Sequence, residues 1–185
     1  MNVQYHTFVR WEEGIKMFES NITLIGMPGA GKSTIGIVLA KLLCKTFIDA
    51  DLVIQNNQGK RLHKIIEEIG NDGFLKLEND TLAQLKVHNS IISTGGSAIF
   101  GKEAMEHLKN TSTVIYLRVP CEDIEKRLKS LKRRGVVFEE GQTLRDIYDI
   151  RTPLYEKYAD VVVDCNNESD IQETAIKIAE LFETR

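Results

Sequence analysis

Residues 26–34 read Gly-Met-Pro-Gly-Ala-Gly-Lys-Ser-Thr, and no other stretch restricts the fold so strongly. The pattern is G-x-x-x-x-G-K-[ST], with Gly26, Gly31, Lys32 and Ser33 in the fixed places. An apolar run at 22–25 precedes it, and Ile35, Val38, Leu39 and Leu42 follow at helical spacing. A strand, a tight loop and a helix are therefore expected in that order. Glycines at 26, 29 and 31 let the backbone turn its N–H groups inward, and the start of the helix adds partial positive charge, so the loop suits phosphate oxygens. Gly29, Ala30, Gly31, Lys32, Ser33 and Thr34 form the candidate phosphate-binding set. Lys32 is placed to reach the β- and γ-phosphates, and the Ser33 hydroxyl suits Mg²⁺, a hard cation that takes oxygen donors.

The next strand candidate, 46–51, ends in Asp49 and Asp51. Alternation in an extended chain puts both carboxylates on one side, near the carboxyl end of a strand, where open α/β sheets bind ligands. One of the pair can serve a metal and its water shell while the other accepts a proton from an attacking hydroxyl. Asp51 could instead cap the helical segment that opens at Leu52.

Residues 52–88 suggest helical segments broken at Gly59, Gly70 and Gly73. A strand at 90–94 runs into Gly95-Gly96-Ser97, a strand at 112–119 stops at Pro120, and a helix at 122–132 follows. A polar loop, about 133–141, is expected to act as a lid. Further helical stretches carry Leu144, Ile147 and Ile150, then Ile171, Ala175, Ile178 and Phe182, with a last strand at 160–165 between them. Five strands alternating with helices imply a three-layer α/β/α domain of the P-loop NTPase type, a parallel sheet with helices on both faces. Residues 1–20 form an N-terminal extension and 21–185 a single domain, about the size expected of one core.

Several function classes are disfavoured. The net charge of −3 argues against a general nucleic-acid binder, and no apolar run is long enough to span a membrane. Three widely spaced cysteines, with no C-x-x-C pair and no leader, fit a reducing cytoplasm. A monomer is the default.

The stretches 21–36, Phe47-Ile48-Asp49-Ala50-Asp51, Ser93-Thr94-Gly95-Gly96 and 151–159 together resemble the shikimate kinase family, over about residues 21–183. The resemblance implies strand order 2-3-1-4-5, ATP and Mg²⁺, and transfer of the γ-phosphoryl to a hydroxyl of shikimate, giving shikimate 3-phosphate in aromatic amino-acid biosynthesis. It implies that Ser33 and Asp49 serve the metal. Asp51, Gly95, Gly96 and Arg151 would contact the acceptor, with Arg151 pairing its carboxylate. Lys32, Asp51 and Arg134 would be the catalytic set, Arg134 being the lid residue that approaches the nucleotide.

Two departures fall on the acceptor side. Phe74-Leu75-Lys76-Leu77-Glu78 has Leu75 where the family's F-R-x-x-E motif has arginine, and Ser97 replaces a third turn glycine. A charge-assisted hydrogen bond is worth about 1.5–3 kcal/mol, so the missing arginine bears on affinity, and Lys76 is the nearest substitute in sequence. The expected partners are ATP and a small hydroxylated acid. Alternatives are a kinase of another small hydroxy acid or polyol, or a non-catalytic nucleotide-binding module.

Overall fold

The apolar runs become five short strands in one parallel sheet: β1 (Asn21–Ile25), β2 (Thr46–Asp49), β3 (Ser90–Ser93), β4 (Ser112–Arg118) and β5 (Val161–Asp164), in spatial order β2-β3-β1-β4-β5. The computed structural model describes residues 21–130, 141–166 and 170–183. The helices are α1 (Lys32–Leu42), α2 (Ala50–Gln58), α3 (Leu62–Ala83), α4 (Lys102–Thr111), α5 (Cys121–Ser130), α6 (Leu144–Tyr158) and α7 (Ile171–Glu183), with a short 3-10 turn at Ala98–Phe100. The expected fold class and strand order are both present. The N-terminal extension and most of the lid, with Arg134, lie outside the described residues.

Parallel strands covered on both faces must be apolar almost throughout, and β1 and β4 are. Ile22, Leu24, Ile25, Val114, Ile115, Tyr116 and Leu117 are fully buried. Each large side chain so buried contributes about 1.5–3 kcal/mol. At the start of β1, Asn21 Nδ2 donates to the Val87 and Thr111 carbonyls while its Oδ1 accepts from Ser90 N–H, tying β1 to the start of β3 and to the end of α4. Register then does the positioning. Asp49 pairs with Ser93, and Ser93 with Leu24, so the carboxyl ends of β2, β3 and β1 emerge side by side.

The elements differ from the sequence reading in four places. The β2 strand stops at Asp49 and α2 begins at Ala50, so Asp51 lies in the first helical turn rather than two residues along an extended chain. The cap is Asp49, whose Oδ1 accepts from the N–H groups of Asp51 and Leu52, not Asp51. As an edge strand, β2 is only half-buried. Gly59 ends α2 in a left-handed conformation and Gly70 kinks α3, but Gly73 interrupts nothing. Gly70 has φ 70° and ψ 177°, a region that a residue with a Cβ enters only under strain. Ile171 is exposed, at 43%, rather than on the buried face that Ala175, Ile178 and Phe182 form.

A small apolar cluster of Ile54, Ile65 and Phe74 holds α2 against α3, separate from the main core. Among the described residues no helix is long and apolar enough to cross a membrane.

Candidate active site

The loop after β1 is built around two backbone constraints. Gly26 has φ +144° and packs so closely on β4 that a Cβ would lie 2.8 Å from the Leu117 carbonyl oxygen. Gly31 is left-handed and forms the N-cap of α1 with no side chain satisfying the helix's first N–H groups, and no acidic residue occupies the first turn. Unpaired donors and the positive end of the helix dipole therefore face the loop, an arrangement that favours an anion. Lys32 is buried at 7% exposure and donates to the Gly26 and Met27 carbonyls at 2.8 and 3.1 Å. Burial pushes its ammonium down to about 8; Asp51, Glu78 and Asp49 work the other way, and Arg151 adds to the lowering. Ala30 is buried in the loop, and Thr34 is exposed on the first turn of α1.

Ser33 and Asp49 meet beside the loop. Ser33 Oγ donates to Asp49 Oδ2 at 2.7 Å and lies 3.2 Å from Ser93 Oγ, while the other oxygen of Asp49 caps α2. A hydroxyl and a carboxylate oxygen side by side at a phosphate loop are the hard donors that Mg²⁺ takes in combination with phosphate oxygens. The site thus fits a divalent cation.

On the far side of the loop stand the candidates for an acceptor. Gly95 lies against two carboxylates: a Cβ there would overlap Glu78 Oε1 and stand 3.2 Å from Asp51 Oδ1. A Cβ on Gly96 would fall 2.6 Å from Pro28, so the Gly-Gly turn packs directly on the phosphate loop. Tyr155 OH donates to the Gly96 carbonyl at 2.6 Å, and its ring stacks on Tyr116 with centroids 5.0 Å apart. Arg151 is 4% exposed, sits one turn before Tyr155 on the buried face of α6, and places its guanidinium 5.5 Å from the Phe100 ring centroid. Lys32, Asp49, Asp51, Gly95, Gly96 and Arg151 are thus brought together. Arg134 lies outside the described residues.

Sequence reasoning missed two residues. Glu78 is buried at 1% exposure, with Oε2 accepting from Ser97 Oγ at 2.6 Å and Oε1 without a hydrogen-bond partner among the described residues. Burial pushes its carboxyl up to about 7; the Ser97 bond, Arg151 and Lys32 hold it down, and Asp51 raises it further. The signal was legible: Phe74, Glu78 and Leu82 share one face of α3, so a carboxylate interrupts an otherwise apolar stripe. The other is Arg127, which donates to the carbonyls of Gly29, Ala30 and Asn166 and braces the phosphate loop from α5. Lys76 is exposed on α3, away from the buried face that carries Glu78.

A family profile described as "Shikimate kinase" matches residues 28–183. The shikimate kinase of Pasteurella multocida is 40% identical over 153 residues, spanning 80% of this chain and 87% of that protein. The one from Nitrosospira multiformis is 36% identical over 164 residues, spanning 87% and 84%. Among solved structures, shikimate kinase from Acinetobacter baumannii in complex with shikimate superposes with a TM-score of 0.80 at 34% identity, covering 90% of this chain and 96% of that one. Shikimate kinase from Aquifex aeolicus gives 0.71 at 30% identity, with 88% and 95% covered.

Proposed function

Because this chain belongs to the shikimate kinase family, we propose that its phosphate loop and the acidic pair beside it carry ATP-dependent phosphorylation of shikimate, a step of aromatic amino-acid biosynthesis. The observation that carries the assignment of residues is the meeting of the strand ends: Gly95 lies against the Asp51 and Glu78 carboxylates, and Gly96 packs on Pro28 of the phosphate loop.

In this reading the uncapped start of α1 and the loop N–H groups hold the β- and γ-phosphates. Lys32 leaves its two loop carbonyls and moves onto the phosphate oxygens. Asp51 hydrogen-bonds the acceptor hydroxyl and takes its proton as the oxygen attacks the γ-phosphorus, while Arg151 faces the acceptor's carboxylate. Little covalent chemistry is asked of the protein, since phosphoryl transfer is catalysed mainly by positioning and charge neutralisation. Ser33 and Asp49 would hold Mg²⁺, which when bound neutralises phosphate charge. Arg134 would complete the nucleotide side from the lid. A monomer in the cytoplasm is part of the same proposal, and the three free cysteines among the described residues support a reducing compartment.

The test is product identification. Purified protein incubated with ATP, Mg²⁺ and either shikimate or a panel of hydroxy acids and polyols should yield a phosphorylated product with shikimate at enzyme-like rates. A product formed only from another member of the panel would replace shikimate as the acceptor.

A further inference from the structure

Glu78 is the one carboxyl of the cluster that the mechanism leaves without a task. It is wholly buried, bonded through Oε2 to the Ser97 hydroxyl, with Oε1 lying against Gly95, close to the Asp51 carboxylate and without a hydrogen-bond partner among the described residues. The charged groups that act on it come from three helices: Asp51 on α2, Arg151 on α6 and Lys32 on α1. With Glu78 ionised, the two cations of the cluster, Lys32 and Arg151, stand beside three carboxylates, Asp49, Asp51 and Glu78. An acceptor carboxylate would then add a second surplus negative charge to a buried site. With Glu78 neutral, the charges of the cluster balance before the acceptor binds.

We propose that Glu78 takes up a proton when the acceptor's carboxylate binds, and that this uptake, with Ser97 as the positioning residue that holds the carboxyl, sets the affinity for an anionic acceptor. The inference rests on the reading of shikimate as acceptor. The proton comes from solvent and stays on the Glu78 carboxyl for as long as the acceptor is bound. Burial favours the neutral form, and the Ser97 bond is the largest influence opposing it. The leucine at position 75 is consistent with this: it places no positive charge one turn before Glu78 on α3.

The experiment is calorimetric titration of the full chain with shikimate, without nucleotide, in two buffers of different ionisation enthalpy between pH 6 and 8.5. Near pH 6 no proton should move. By pH 8 uptake should approach one proton, and affinity should fall about tenfold per unit above about pH 7. In Glu78→Gln the uptake at pH 7.5 should drop by more than half. In Ser97→Gly, loss of the bond that favours the anion should move the midpoint to higher pH. Flat affinity with no uptake in the wild-type protein overturns the proposal, as does uptake unchanged in Glu78→Gln or a midpoint unmoved in Ser97→Gly. Should Glu78→Gln fail to fold, the wild-type and Ser97→Gly titrations still decide. No shikimate binding at any pH would instead contradict the acceptor assignment, and this inference with it.

Discussion

Glu78 shows how one buried side chain couples site chemistry to stability. Its carboxyl has an ordinary value of 4.5 and is pushed up to about 7 in the fold. Between those values the folded state binds more protons than the unfolded chain, so this residue's contribution to stability falls as pH rises from about 4.5 to 7 and is then constant. The full difference is about 3 kcal/mol. Glu78→Gln should therefore gain on the wild type by roughly that amount between pH 5 and pH 8, read by urea unfolding at both. A stability difference that does not change with pH contradicts the shift. The residue was passed over because a glutamate in a helix ordinarily lies on a solvated face, although its phase with Phe74 and Leu82 marks it as buried. Lys32 and Ser33 were legible at once, since the motif fixes both their identity and the backbone around them.

At the level of elements, the junction of β2 and α2 carries two duties on one residue. The sequence gives two aspartates two apart, and strand alternation and a helix start both suit that spacing; Asp49 and Asp51 are resolved only by where β2 gives way to α2. Asparagine caps helices as well as aspartate does, whereas alanine does not. Asp49→Asn should hold stability within a few tenths of a kcal/mol and Asp49→Ala should lose about 1 kcal/mol in urea unfolding. Both should lose most turnover, because both remove the anionic oxygen beside Ser33. Wild-type turnover in Asp49→Asn would show that capping is the residue's whole role. Helix α6 makes the same point from the other direction. Ile147, Arg151 and Tyr155 share its buried face, a spacing that a reading of Leu144, Ile147 and Ile150 did not pick out, and Tyr155 bonds the Gly-Gly turn. The continuity of α3 through Gly73 was not readable, because a glycine within a helix and one that ends it look alike in sequence.

Across the whole molecule, the parallel sheet is what makes the site possible. Because every strand points the same way, loops from β1, β2 and β3 open at one edge, and register sets Asp49, Ser93 and Leu24 abreast. The architecture was legible from five apolar runs alternating with helices, whereas the pairing of Ser97 with Glu78 depends on helix α3 meeting the turn after β3 in space and has no local signature. The central claim is that Lys32 and Asp51 act on one nucleotide–acceptor pair held at that edge. Asp51→Asn, assayed for single-turnover transfer to shikimate beside a separate titration of nucleotide affinity, tests it most directly. Loss of a positioned general base typically costs 10²–10⁴-fold, so transfer should slow by at least about a hundredfold while nucleotide affinity stays within about threefold. Transfer at the wild-type rate in Asp51→Asn would contradict the claim.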